Sequence, residues 1–266
     1  MLRIAVCVKL VPAYSDGMTD PGTGLLIRSG LEMVPNPYDL PAIETALLLR
    51  EQMGGEVTVF TMGPEQAMEV LEVAYAMGTD DGILITGREF AGSDVLATSY
   101  ALSQGISCSG PFDMVICGRE TTDGDTSQVG GALAYRLGMV SLQWVSEVVS
   151  IDADTVTVIQ EFDTHSLRVR ASLPVLLSVE PSICTPRMPG LQRRLAARRR
   201  SFGRLQLADL PDKESCHYGL EGSATRVETV YTAETAHAPS AVEYDAEKAV
   251  KAIAGMLNPY RQADDD

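Results

Sequence analysis

The stretch DMVICGRETTDGDTSQVGGALAYRLG, residues 113–138, decides the fold. It opens on a nearly continuous apolar run, 113–117, of the kind that suits a strand buried on both faces. It closes on a helical pattern that starts near Thr126 and ends at Gly138. Strand, glycine-rich loop and helix in that order are half of a β–α–β unit. The loop between them holds acids, hydroxyls and glycines. It reads in three ways: a catalytic acid cluster, a metal loop, or a cradle for a phosphorylated ligand.

Similar units lie upstream. The runs 2–8 (LRIAVCV), 56–60 (EVTVF) and 82–86 (GILIT) are strand-like. Helical patterns separate them. One follows Asn36, a candidate N-cap, with Pro37 at its first position, and stops at Gly54-Gly55. A second runs from Pro64 to Gly78, and a third begins at Ser93 or Asp94. This alternation implies an α/β fold with a doubly wound parallel sheet. From about 145 to 180 the pattern changes to consecutive strand-like runs, which predicts antiparallel hairpins added to the sheet. The division expected is an α/β domain over 1–205 and a C-terminal arm over 206–266. The arm is polar, with a short amphipathic helix near 245–257.

In open α/β sheets ligands sit at the carboxyl ends of the strands. The loops 9–17, 61–65, 87–94 and 118–130 should gather there, together with 34–39. Gly63, Gly87, Gly92, Gly118 and Gly124 let backbone approach a ligand. Helix starts near Asn36, Gly63, Ser93 and Thr126 offer free N–H groups that favour phosphate. Thr121, Thr122, Thr126 and Ser127 add hydroxyls, and Arg88 and Arg119 add charge for a pyrophosphate. The sum is a nucleotide cradle, against the alternative of ordinary turns and caps. Glu120, Asp123 and Asp125 lack further carboxylates at EF-hand spacing, so a metal is not expected. There is no G-x-S-x-G, no phosphate-loop lysine motif and no G-x-G-x-x-G, which disfavours a classical dehydrogenase or kinase. No catalytic acid–base residue is assigned.

The bulk numbers agree. The chain has 266 residues, 45% of them hydrophobic, enough for a real core. A net charge of −15 disfavours nucleic acid as a partner. The five cysteines have no C-x-x-C spacing and imply a reducing compartment. No apolar run reaches the roughly 20 residues of a membrane span, and no signal-peptide pattern is visible. The expected location is the cytoplasm.

These residues also carry a resemblance. The chain resembles the beta (small) subunit of electron transfer flavoproteins, the family that includes the FixA proteins. The likeness runs across most of 2–205. It rests on VCVKLVP (6–12), NPYDLPAIETALLL (36–49), TMGPEQAMEVLEVAYAMGTDDGILI (61–85), GRETTDGDTSQVGGALAYRLG (118–138), LPVLLSV (173–179) and TPRMPGLQRRLAARRR (185–200). It implies an adenine-nucleotide-hydrolase-like α/β domain whose arm embraces a larger alpha subunit in a heterodimer. It also implies a bound nucleotide, AMP in one type and an additional FAD in the electron-bifurcating type. By position the nucleotide site falls on Cys7, Lys9, Asn36, Pro37, Tyr38, Asp39, Met62, Gly63, Gly118, Arg119, Asp123, Gly124, Asp125, Thr126, Ser127, Gln128 and Val129. Leu191 takes the place of the leucine that docks on dehydrogenases.

The segment REFAGSDVLATSYAL, 88–102, resembles the bifurcating type and brings Asp94 and Thr98 into the site, with FAD as the ligand. VKLVP (8–12) and TDPGTGLLIRSG (19–30) lean the same way. Electrons would then come from NADH or an acyl-CoA-type dehydrogenase and leave to a redox acceptor such as ferredoxin or flavodoxin. Four departures from the pattern, Leu10, Ala13-Tyr14, Arg194 and Ala196, bear on flavin potential and docking. Two alternatives stay open: an AMP-binding beta subunit of a non-bifurcating type, and a stand-alone nucleotide-binding regulator of universal-stress type.

Overall fold

A computed structural model describes residues 1–13, 32–227 and 245–261. Tyr14, the stretch 19–30 and the tail 264–266 lie outside the described residues. The chain forms two compact units, Met1–Thr229 and Val230–Asp266. The boundary placed at 205 from the sequence falls inside the first unit.

Unit 1 is built on a nine-stranded sheet. Its strands are β1 (Leu2–Cys7), β4 (Gly55–Met62), β5 (Asp81–Ile85), β6 (Met114–Gly118), β7 (Val140–Ile151), β8 (Thr155–Glu161), β9 (Ser166–Ser172), β10 (Val175–Val179) and β11 (Gly203–Leu205). Two short strands, β2 (Leu10–Pro12) and β3 (Met33–Pro35), pair antiparallel as a separate ribbon. The order across the large sheet is β11-β5-β4-β1-β6-β10-β7-β8-β9. Neighbours from β11 to β7 run parallel, while β7, β8 and β9 are antiparallel. The doubly wound α/β expectation holds.

Three details depart from the sequence reading. The run 175–179 was expected to join the hairpins. It instead inserts parallel between β6 and β7, and all five of its residues are buried. That burial on both faces is why it lacks the alternation of a half-exposed strand. Gly203–Leu205 adds an edge strand too short to show a period. The residues after 205 carry strong anchors: Leu210 and Tyr218 are fully buried, and Tyr218 packs edge-on against Phe90 at 5.3 Å. Two aromatic or aliphatic residues spaced by loop leave no periodic signal, so the segment reads as polar in sequence.

The helices are α1 (Asp39–Met53), α2 (Met68–Met77), α3 (Val95–Cys108), α4 (Val129–Leu137) and α5 (Leu191–Ala197). Side chains alternate along β1. Ile4 and Val6 join a core with Ala46, Leu47, Val70 and Leu71 of α1 and α2. Ala5 and Cys7 face Ala101, Ile106, Leu133 and Ala134 of α3 and α4. The sheet is thus covered on both faces by α1–α2 and α3–α4. In unit 2, α6 (Ala246–Arg261) has its first N–H groups capped by the Asp245 carboxylate, at 3.0 Å from the nitrogen of Glu247.

The chain builds β1, β4 and β5 in one direction and then crosses back to place β6 on the other side of β1. The point where the direction reverses, between β1 and β6, is where α/β sheets open a ligand crevice. Asp39 sits at this point, in the first turn of α1, and is buried. Its Oδ2 accepts the Lys9 N–H after β1 at 2.8 Å, and its carboxyl also accepts the Gly118 N–H at the end of β6. One side chain therefore holds two strand ends to one helix start. Burial pushes the carboxyl up to about 7, against the pull of those N–H donors and of Asn36. Gly118 is required by the same contact: a Cβ there would lie 2.5 Å from Asp39 Oδ1 and from the Tyr38 carbonyl oxygen.

Two outcomes follow from this clamp. A raised folded-state pKa means that the native protein binds a proton the unfolded chain releases, so the contribution of Asp39 is full below about pH 4 and is lost as pH rises through about 7. Subtracting the melting curves of Asp39→Asn from those of the parent between pH 4.5 and 8 should isolate that slope, and a pH-independent difference would show Asp39 to be fully ionised. Gly118→Ala should cost about 1–3 kcal/mol by overpacking, read as a lower Tm.

Candidate functional site

The cradle is assembled on the loop from Gly118 to Gln128. Helix α4 begins at Val129, three residues later than the Thr126 start expected from sequence. The reason is backbone geometry. Asp125 and Ser127 have φ of 47° and 53°, in the left-handed region, and neither can enter a right-handed helix there. Non-glycine residues held this way cost on the order of 1–3 kcal/mol each and cluster at ligand sites. Gln128 is back in the right-handed region, at φ −109° and ψ −20°. A left-handed residue followed by a right-handed one turns successive N–H groups to the same side, forming an anion-binding concavity. Among the described residues none accepts from the N–H of Thr126, Ser127, Gln128 or Val129. The helix dipole of α4 adds partial positive charge at the same place.

The rest of the loop is braced. The N–H of Asp125 donates to the Thr121 carbonyl at 2.9 Å, and that of Gly124 to the same oxygen at 3.3 Å. Lys9 Nζ meets Asp123 Oδ1 at 2.6 Å and ties the end of β1 to the loop. Asn36 was expected as the N-cap of α1. The cap position is instead Tyr38, and Asn36 is fully buried, donating from Nδ2 to the Glu120 carbonyl at 2.8 Å. Its Oδ1 has no partner, an orphaned buried acceptor beside the cradle. Pro37 and Tyr38 form the turn between them, and the Tyr38 hydroxyl is turned to the Glu120 carboxyl.

Other residues take roles that sequence did not foresee. Arg119, expected to face a phosphate, is engaged by Glu180, with both carboxylate oxygens 3.2 Å from its Nη1. That bond raises its pKa further. Glu180 lies at the end of β10, so only the insertion of that strand brings it here. Cys7 and Cys117 are side by side in register on β1 and β6. Both are buried, and the hydrogen bond with Cys7 and burial push the Cys117 thiol well above its usual range. They are packing groups beneath the rim. Met62 and Gly63 end β4 at the same rim, and the Gly63 N–H donates to Ile85 at 3.1 Å.

Asp94 caps α3 as expected, its Oδ1 accepting from Ala97 at 3.0 Å. Its Oδ2 is taken by Thr225, at 2.9 Å from the nitrogen and 3.0 Å from the hydroxyl. Burial opposes its charge, yet these donors hold its pKa below the usual range. Thr98, one turn on, is half-buried, and its hydroxyl has no partner among the described residues. Leu191 begins α5 and is 74% exposed, with Met188 and Leu195 exposed beside it. Among the described residues no set of His, Cys, Asp or Glu is grouped to hold a metal ion. Nor is any helix there long and apolar enough to cross a membrane.

Comparison with known proteins identifies the family. Residues 23–210 match the electron transfer flavoprotein domain. The chain is 40% identical to protein FixA of Sinorhizobium fredii, over 96% of this chain and 92% of that one. It is 36% identical to the electron transfer flavoprotein subunit beta of Megasphaera elsdenii, over 87% of each chain. With the corresponding subunit of Clostridium acetobutylicum it shares 37% identity, over 88% of this chain and 89% of that one. By fold, by extent of match and by identity, the chain belongs to the electron transfer flavoprotein family, among its beta subunits and FixA proteins.

Proposed function

We propose that this chain is the nucleotide-holding subunit of a heterodimer with an electron transfer flavoprotein alpha subunit, and that it binds FAD in its own α/β domain. The observation that carries the reading is the row of unpartnered N–H groups from Thr126 to Val129, aimed by two left-handed residues at the switch point of the sheet. A phosphate or pyrophosphate satisfies such donors. The residues present fit the group. Thr126 and Gln128 stand exposed on the loop, and Asn36 Oδ1 is a buried acceptor left over.

FAD is favoured over AMP by the segment 88–102. It puts Thr98, with a hydroxyl still to be used, one turn inside a helix that starts at the rim. The cofactor, when bound, supplies the redox chemistry. The chain supplies position, and the two nearest thiols are buried beneath the rim. Electrons from NADH or an acyl-CoA-type dehydrogenase then pass through the pair of subunits to a redox acceptor, with bifurcation toward ferredoxin or flavodoxin as the fuller form. Leu191, with Met188 and Leu195, is the docking knob for the dehydrogenase, being a cluster of exposed apolar side chains on a short helix.

Co-expression with the larger subunit and a count of bound nucleotide tests this reading. Two FAD per heterodimer supports it; one FAD with one AMP makes the chain an AMP-type beta subunit. Homodimers carrying ATP and no flavin would make it a regulator. Thr126→Val combined with Gln128→Ala should lower nucleotide retention by about tenfold with Tm unchanged. Leu191→Ala should leave flavin content intact and slow electron delivery from the dehydrogenase by about tenfold, the loss of one interface hot spot.

A further inference from the structure

We infer that Glu120 is the positioning residue of the cradle: its carboxylate, through the Ser127 hydroxyl, holds the loop in the left-handed form that presents the free N–H groups. The inference rests on the nucleotide reading of the site and adds a residue that touches no ligand.

Four groups converge on this carboxyl. Ser127 Oγ donates to Oε2 at 2.9 Å. Arg119 Nε approaches the same oxygen at 3.8 Å. Tyr38 and Asp125 also face it, and together these groups hold its pKa below the usual range despite burial. The main chain is fixed as well, since the Glu120 carbonyl accepts from buried Asn36. Glu120 therefore cannot swing away, and Ser127 is held from seven residues upstream. Ser127 is one of the two left-handed residues of the loop. Without a hydrogen bond on its side chain, serine has little reason to stay at φ 53°, because its Cβ disfavours that region. The strut thus supplies the bond that keeps a strained residue in place.

The same carboxylate has a second effect. It places a negative charge beside a site built for an anion, and its charge is offset only in part by Arg119, which Glu180 shares. Geometry favours the ligand and charge opposes it. Glu120→Gln separates the two, since the amide oxygen still accepts from Ser127 while the charge is gone.

The experiment uses the full chain co-expressed with its larger subunit and stripped of nucleotide. AMP affinity by calorimetry and amide hydrogen exchange over 124–130 are measured for the parent, Glu120→Ala, Glu120→Gln and Ser127→Ala. Glu120→Ala and Ser127→Ala should weaken AMP by about tenfold and speed exchange in the loop, with Tm little changed. Glu120→Gln should keep the slow exchange and bind AMP as tightly as the parent or more so. Unchanged exchange and affinity in Glu120→Ala would overturn the inference, as would a Glu120→Gln as impaired as the alanine variant. If the parent itself binds neither AMP nor FAD, the nucleotide reading fails, and the exchange rates alone then decide whether Glu120 orders the loop.

Discussion

The site depends on one buried carboxyl. Asp39 joins the ends of β1 and β6 to the first turn of α1, and all three loops of the cradle leave from those points. The arrangement carries a cost, because burial disfavours the charge that its N–H donors call for. The balance leaves the group near neutrality of its own titration, at about 7. A side chain of this kind is tolerated where the backbone groups it satisfies would otherwise be orphans at a sheet end with no further strand to pair.

From that clamp the cradle is built by successive ties. Lys9 leaves β1 and meets Asp123, Asn36 precedes α1 and meets Glu120, and Arg119 leaves β6 and meets Glu180. Charged groups that look like ligand contacts in the sequence are mostly spent on one another. What they hold open is backbone: N–H groups in a loop forced out of the helical region at Asp125 and Ser127. The thiols below the rim are buried in the core.

The arm segment 206–227 is drawn into the same structure. Thr225 and Ser223 bond to Asp94 at the start of α3, and Tyr218 fills the space against Phe90. Flavin-lining residues suggested by the sequence are therefore braced by the chain that follows the α/β core. Any change of position in this segment would be felt at the N-terminus of α3.

The sequence by itself determined the α/β class, the parallel strands, read at 2–8, 56–60, 82–86 and 113–117, and the helix start at Asp94. Those features are written in local terms: apolar runs, caps and glycines act within a few residues of themselves. Tertiary structure decided the rest. It put β10 between β6 and β7, delivered Glu180 to Arg119, and gave Glu120 to Ser127. It also moved the start of α4 from Thr126 to Val129, through left-handed φ values at Asp125 and Ser127 that the helical pattern of the sequence does not show. These are choices among partners distant in sequence, settled by which strand ends meet at the switch point and by the need to satisfy buried polar groups once they meet there.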